Sequence, residues 1–412
     1  MFIILHNSID NTKLYDIITA MYIKRKLEET LNKYLKIFPA VAITGPRQSG
    51  KSTMLKEFLK DKYEYVTFDR FQNIEDFLSD PQSFMEKYDN KVIFDEVQRV
   101  PQLFSYVKFA IDEDRKNYGK FILTGSSQFS MVKGITETLA GRIGNISLLP
   151  FQYSEIPDKL KERQILHGSY PEIVLRRYTG VTEWYDSYIQ NYLERDVRNL
   201  SNIGNLRDFS KFINLLAAKT AQEFNASSYA VDIGVNYKTI QAWLSILEAA
   251  YIVFTLEPYF HNLGKRIVKR PKVYFWDTGL VCHLAGITSK ELLEKGPLCG
   301  PVFENYLISE IYKKVKHQNL DNKLFYFRSN SGYESDLIIE DRTRKKIIFT
   351  EIKYNKSARP IMVEAIKKII EKEKEHQVHS EYDTGGLLLY NGTESGKFFG
   401  SISYEPWHYF LI

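Results

Sequence analysis

The sequence has only two cysteines in 412 residues, Cys282 and Cys299, and their spacing suits neither a disulfide framework nor a thiolate metal site. A reducing, cytoplasmic setting is the simplest expectation. No stretch of about 18 or more consecutive apolar residues occurs, so no membrane-spanning helix and no membrane partner is expected. No sign of charge dominates either. The 56 Lys and Arg stand against 51 Asp and Glu, and the net charge of +5 selects no partner by itself. Internal repeats and low-complexity tracts are absent. The apolar start is followed by a polar, acidic stretch with no basic region or cleavage site, which argues against a signal peptide. Residues 1–22 are therefore set apart as a leader, either poorly ordered or a misassigned start.

What is present is ample material for packed cores, including 28 Tyr and 26 Phe, in a chain long enough for two or three domains. The most informative stretch is Val41-Ala-Ile-Thr followed by Gly45, Pro46, Arg47, Gln48, Ser49, Gly50, Lys51, Ser52 and Thr53. A buried strand feeds a G-x-x-x-x-G-K-S loop, and a helix follows. The glycines let the backbone wrap so that successive N–H groups point at phosphate oxygens, and the helix presents its positive end to the same phosphates. Lys51 would reach the β- and γ-phosphates, and the Ser52 hydroxyl would ligate magnesium. ATP and Mg2+ are the implied cofactors.

Further strands alternate with helices: Tyr63–Asp69, Lys91–Glu96 and Phe121–Gly125. Such alternation predicts a parallel sheet with its ligand at the C-terminal ends of the strands. The second of these strands delivers Asp95 and Glu96, the first to hold magnesium and the second to polarise the attacking water as general base. Ser126, Ser127 or Gln128, on a strand between the loop and the acidic pair, would orient that water or sense the γ-phosphate. Charge develops on the transferring group, so an arginine is expected near it, and Arg142 is the first candidate, ahead of Arg47 and Arg195. A solvated surface arginine is the competing reading of Arg142.

Residues 156–290 change character. Aromatic and aliphatic residues recur at helical spacing, and Ser228–Leu247 reads as helix, glycine turn and a helix capped by Asn236. Ile240, Leu244 and Leu247 form its buried stripe, leaving Lys238, Gln241 and Ser245 outward. That is a helix-turn-helix pattern whose second helix can enter a major groove. Two strands then flank a basic stretch, Lys265, Arg266, Lys269, Arg270 and Lys272, which reads as a wing able to meet phosphates. The plainer reading is a small helical lid with a solvated hairpin.

In residues 291–412, a helix carrying Glu304 precedes three strands. Glu334 and Asp336 share one face of a strand, and Glu351 and Lys353 share a face of the next. Asp336, Glu351 and Lys353 would meet, two carboxylates for magnesium and a lysine for the attacking water at a phosphodiester. Alternating charges on an exposed sheet face would give the same pattern. Residues 364–376 read as a highly charged, solvated helix.

The loop, Asp95-Glu96-Val-Gln98, Leu-Thr-Gly-Ser-Ser and Leu-Ala-Gly-Arg142 together resemble a widespread prokaryotic group of AAA-type ATPases. Tyr-Leu-Glu-Arg195-Asp196, Tyr274-Phe-Trp-Asp277-Thr-Gly-Leu280 and Phe303-Glu304-Asn resemble the C-terminal domain of unknown function that accompanies that ATPase. The resemblance implies an α/β chain with an AAA-type parallel-sheet core over 23–155. A helical and winged-helix section over 156–290 and a restriction-endonuclease-like end over 291–412 would follow. Ser52 stands where the loop often has Thr, which should leave magnesium binding intact. The functional expectation is an ATP-hydrolysing protein that couples nucleotide state to nucleic acid, DNA more than RNA, with self-association a further possibility. The alternatives are an ATP-gated metal-dependent nuclease, with defence against foreign DNA as its setting, and a non-hydrolysing switch that binds ATP and a protein.

Overall fold

The computed structural model describes residues 22–125, 138–193, 205–259, 270–329, 332–375 and 381–412. Its first layer is a parallel sheet of β1 (Ala40–Thr44), β2 (Glu64–Thr67), β3 (Val92–Asp95), β4 (Phe121–Thr124) and β5 (Ile143–Ser147), in the order β2-β3-β4-β1-β5. β1, β3 and β4 are continuous apolar runs because helices cover both faces of the sheet. Ala40, Ala42, Phe94 and Leu123 point to one face. There they meet Phe77 of α3 (Phe71–Ser79), Phe84 of α4 (Pro81–Lys87) and Val107 of α5 (Leu103–Glu113). Val41, Ile43, Ile93 and Ile122 point to the other, against Leu27 and Leu31 of α1 (Leu27–Tyr34) and Met54 and Leu55 of α2 (Lys51–Phe58). The strand–helix alternation thus yields the expected parallel sheet. β4 lies between β1 and β3, so the strand ends at Thr44, Asp95 and Thr124 are neighbours.

The middle of the chain is helical. After α6 (Val181–Tyr188), α7 (Leu206–Ala218) packs Phe209 and Phe212 on Trp243 of α9 (Tyr237–Ala249). α8 (Ala226–Ile233) turns into α9 through Gly234, whose φ of 86° suits glycine. Asn236 caps α9 by accepting from Lys238 N. β6 (Val253–Leu256) and β7 (Lys272–Phe275) follow as an antiparallel pair with Leu256 opposite Lys272.

α10 (Cys299–His317) leads into a mixed sheet. β8 (Asn322–Arg328), β9 (Glu334–Asp341) and β10 (Lys346–Lys353) run antiparallel, and β11 (Asp383–Tyr390) is parallel to β10. Two further strands, β12 (Gly396–Phe398) and β13 (Ile402–Pro406), complete the order β12-β13-β11-β10-β9-β8. α10 covers one face. α11 (Glu364–Glu375) covers the other with Ile366, Ile369 and Ile370. The charged helix expected there forms with one solvated face, and three isoleucines at helical spacing bury the other.

α10 also meets the parallel-sheet unit. His317 O accepts from Thr30 Oγ1 at 2.7 Å, and His317 Nε2 accepts from Leu149 N at 3.1 Å. Among the described residues, no helix is long and apolar enough to cross a membrane. The expected leader lies outside the described residues but for Tyr22.

Candidate functional site

The loop between β1 and α2 is shaped by its glycines. Gly45 has φ of 146°, and a Cβ there would lie 2.1 Å from Leu148 O. No other residue fits that approach without moving the backbone. Gly50 caps α2 at φ 90°, and Gln48 takes φ 61°. Gly45, Pro46 and Ser49 are buried, Arg47, Gln48 and Gly50 half-buried, and Thr53 sits exposed on α2. Lys51 Nζ donates to Gly45 O at 3.0 Å and Pro46 O at 2.9 Å, so the ammonium already lies along the loop. Burial pushes it down to about 8, against the pull of Glu96 and Asp95.

Ser52 Oγ donates to Asp95 Oδ2 at 3.0 Å, and Tyr65 OH donates to the same oxygen. Asp95 Oδ1 is buried with no hydrogen-bond partner. A loop hydroxyl touching a carboxylate with one orphaned oxygen fits a magnesium ion, which Ser52 would ligate and Asp95 would hold directly or through water. Glu96 adopts a left-handed conformation (φ 57°, ψ 41°), uncommon for a residue with a side chain, and accepts from Gln98 Nε2. Burial, then the Asp95 charge, raises its carboxyl above the usual range, the direction that makes a carboxylate a stronger base.

Three placements differ from expectation or escape it. Ser126, Ser127 and Gln128 lie outside the described residues, as do Arg195, Lys265, Arg266 and Lys269. Arg142 directly precedes β5, whose start pairs with Ala40, so it lies at the N-terminal edge of the sheet, opposite the loop. There it bonds Asp112 at 2.7 Å across the surface of α5. That placement corrects the expectation of Arg142 beside this chain's own phosphate loop. Lys272, read as a wing cation, is instead 4% exposed and enclosed by acids. Of the other expected nucleic-acid contacts, Lys238, Gln241 and Arg270 are exposed.

Two residues that sequence reasoning missed support the loop. Arg25, buried before α1, donates to Ser49 O at 2.8 Å and Leu149 O at 2.7 Å, pairs with Glu155 at 3.2 Å and stacks on Phe151. Tyr251 OH lies 2.6 Å from Thr44 Oγ1 and 3.1 Å from Ser147 Oγ, one residue short of the loop. Neither carries a local signal, since every partner is remote in sequence.

A second cluster forms where β9, β10 and α10 meet β7. Lys353 Nζ pairs with Glu351 and lies 4.0 Å from Asp336 Oδ2, which accepts from Ile352 N at 2.9 Å. Glu351 Oε2 is buried without a partner. Glu304 Oε1 accepts from Tyr274 OH at 2.7 Å and from Lys272 Nζ at 3.1 Å, and Lys272 also reaches Glu334 at 2.8 Å. Burial opposes the Lys272 charge, yet Glu304, Tyr274, Asp336 and Glu334 hold its ammonium well above the ordinary lysine range. Burial, then the Asp336 charge, raises Glu351. Among the described residues, no group of three or more His, Cys, Asp or Glu side chains is arranged to hold a metal ion.

Residues 38–157 match a family model described as an AAA domain. Residues 158–291 and 299–407 match two described as domains of unknown function, DUF8612 and DUF4143. The chain is 30% identical over 326 residues to an uncharacterized protein of Mycobacterium tuberculosis, spanning 78% of this chain and 73% of that one. One from Mycobacterium bovis matches over the same shares. Among solved structures, it is similar to the Walker-type ATPase PABY2304 of Pyrococcus abyssi, with 16% identity and a TM-score of 0.46 over 65% of this chain and 99% of that one. The RuvB Holliday junction branch migration motor of Thermotoga maritima is more distant, at 15% identity and a TM-score of 0.27 over 55% and 88%. The chain belongs to the prokaryotic AAA-type ATPase family in which an AAA domain is joined to a C-terminal domain of unknown function.

Proposed function

We propose that this protein hydrolyses ATP and passes its nucleotide state to a nucleic-acid-binding region. The observation that carries the hydrolytic reading is Asp95, bonded to Ser52 with one oxygen orphaned, beside a strained Glu96. Lys51 and the loop N–H groups would hold the phosphates. Magnesium at Ser52 and Asp95 would offset the charge that develops on the γ-phosphoryl group, and Glu96 would take a proton from the attacking water. Arg142, at the far edge of the sheet, would serve only the loop of a second copy.

The region served is α7, α8, α9 and the β6–β7 pair, read as a winged helix with Lys238 and Gln241 on the groove-facing side and Arg270 at the wing. Tyr251 supports the coupling, because it links Thr44 to the residues leading into β6. DNA is favoured over RNA and a cytoplasmic setting over others.

The deciding experiment is ATP turnover by the purified protein with and without duplex DNA. DNA-stimulated turnover should fall roughly 100- to 10,000-fold in Glu96→Gln while nucleotide binding persists. In Lys51→Ala both should be lost. Tight binding without turnover under either condition would replace this reading with a non-hydrolysing switch.

A second reading has its own observation. Asp336, Glu351 and Lys353 converge as two carboxylates and a lysine, with Glu351 Oε2 buried and unpartnered. We propose a restriction-endonuclease-like end whose cleavage would require a divalent metal and be lost in Asp336→Ala.

A further inference from the structure

Asp95 Oδ2 accepts from two hydroxyls that come from different elements. Ser52, in the first turn of α2, donates to it at 3.0 Å. Tyr65, on the neighbouring strand β2, donates to the same oxygen. Thr67 is the register partner of Asp95, so Tyr65, two residues earlier, faces the same side of the sheet. The half-buried ring packs against the core that the sheet shares with α1 and α2. Lys56 Nζ, one turn beyond Ser52 on α2, lies 4.3 Å from the ring centroid.

The two donors have different tasks. The Ser52 oxygen can give its hydrogen to Asp95 and still offer a lone pair to magnesium. Tyr65 belongs to neither the phosphate loop nor the acidic pair, and its bond bears on how the carboxylate is turned. The terminal torsion of an aspartate is soft, so the strand alone does not decide which oxygen faces the phosphates. Two hydroxyls on Oδ2 decide it. Oδ1 is then left buried, with no hydrogen-bond partner among the described residues.

A buried carboxylate oxygen without a partner is unfavourable unless something else satisfies it. Magnesium asks for little more from the protein here, since it is commonly held by one or two carboxylates together with substrate phosphates and waters.

We infer that Tyr65 is a positioning residue of the nucleotide site, holding Asp95 Oδ2 so that Oδ1 is the oxygen offered to the nucleotide-bound metal, directly or through water. This deepens the hydrolytic reading, on which it rests. Tyr65 thereby sets how strongly nucleotide affinity depends on the metal. No local spacing marks it, because its partner lies 30 residues away.

The test is affinity of the full chain for a fluorescent, non-hydrolysable ATP analogue, measured with Mg2+ and with EDTA. Tyr65→Phe keeps the ring and removes only the hydroxyl. Affinity for the Mg2+-loaded analogue should fall roughly 10- to 100-fold, the usual effect of losing a group that orients a metal ligand. Metal-free affinity should stay unchanged, which also shows that the loop remains folded. Mn2+ binding to the protein–analogue complex, followed by the free-ion EPR signal, should weaken by the same factor. In an Asp95→Ala background Tyr65→Phe should have no further effect, because the carboxylate it orients is gone.

Equal loss with Mg2+ and with EDTA would overturn the inference, since Tyr65 would then act only as a tether between β2 and β3. So would a Tyr65→Phe variant whose Mg2+-loaded affinity matches that of the parent. A parent chain whose affinity is the same with Mg2+ and with EDTA would sink the reading of Asp95 as a metal-holding residue, and this inference with it.

Discussion

Arg25 shows how much of the nucleotide loop is held from behind. Its guanidinium satisfies the carbonyls of Ser49 and Leu149 and the buried carboxylate of Glu155. Arg25→Met leaves Glu155 charged and unpaired in the interior, which should cost roughly 3–5 kcal/mol in urea unfolding. Arg25→Met/Glu155→Gln removes both charges and should recover more than half of that loss, because deleting a pair costs less than orphaning one member. Equal destabilisation in the single and double variants would show that Arg25 acts by packing on Phe151. At this scale the chemistry-bearing residues were legible where they are adjacent in the chain. Gly45 to Thr53 form one continuous loop, and Asp95 and Glu96 end one strand. Arg25 was not legible, since its carbonyl partners lie 24 and 124 residues away.

Elements carry their own punctuation, and that was readable too. Asn236 starts α9 by binding Lys238 N, and Ile240, Leu244 and Leu247 form the buried stripe anticipated from spacing. Asn236→Ala should cost about 1 kcal/mol in chemical unfolding, the usual worth of such a cap. Lys238→Gln, on the exposed side, should leave stability unchanged. If α9 meets phosphates, it should weaken DNA binding and reduce the log–log salt slope by about one. An unchanged slope in a fluorescence-anisotropy titration would remove Lys238 from any nucleic-acid contact. What spacing misjudged was burial of a neighbouring element. Lys272 follows a cationic run in sequence, but β7 is buried on both faces, and the face of Lys272 meets acids of α10 and β9. α11 was read only by its charged, solvated face, and the three isoleucines that seal the mixed sheet went unremarked among its many charges.

Across the whole molecule, α10 is where the regions meet, with Glu310, Lys313 and His317 all buried. His317 accepts from Leu149 N through Nε2, so its proton sits on Nδ1 and faces Gln152 Oε1 at 3.2 Å. Burial lowers its pKa to about 3, although Glu155 pulls the other way. An unfolded histidine titrates near 6.5, so between those values the unfolded chain binds the extra proton. Stability should fall as pH drops below about 6.5, by up to about 1.4 kcal/mol per pH unit from this group. His317→Gln keeps an acceptor for Leu149 N and should flatten that dependence between pH 6.5 and 4.5, measured as urea midpoints. Parallel curves would mean that other groups set the acid limb. The sequence by itself determined the phosphate loop, the acidic strand end, the strand–helix alternation and the helix caps, because each is set by residues within a turn or a strand of one another. Only the tertiary structure decided that Tyr251 bonds the residue before the loop, that Lys272 fills the acidic cluster and that His317 stays neutral. Those outcomes depend on which side chains are brought together and how much water is removed from them, and neither quantity is encoded in local spacing.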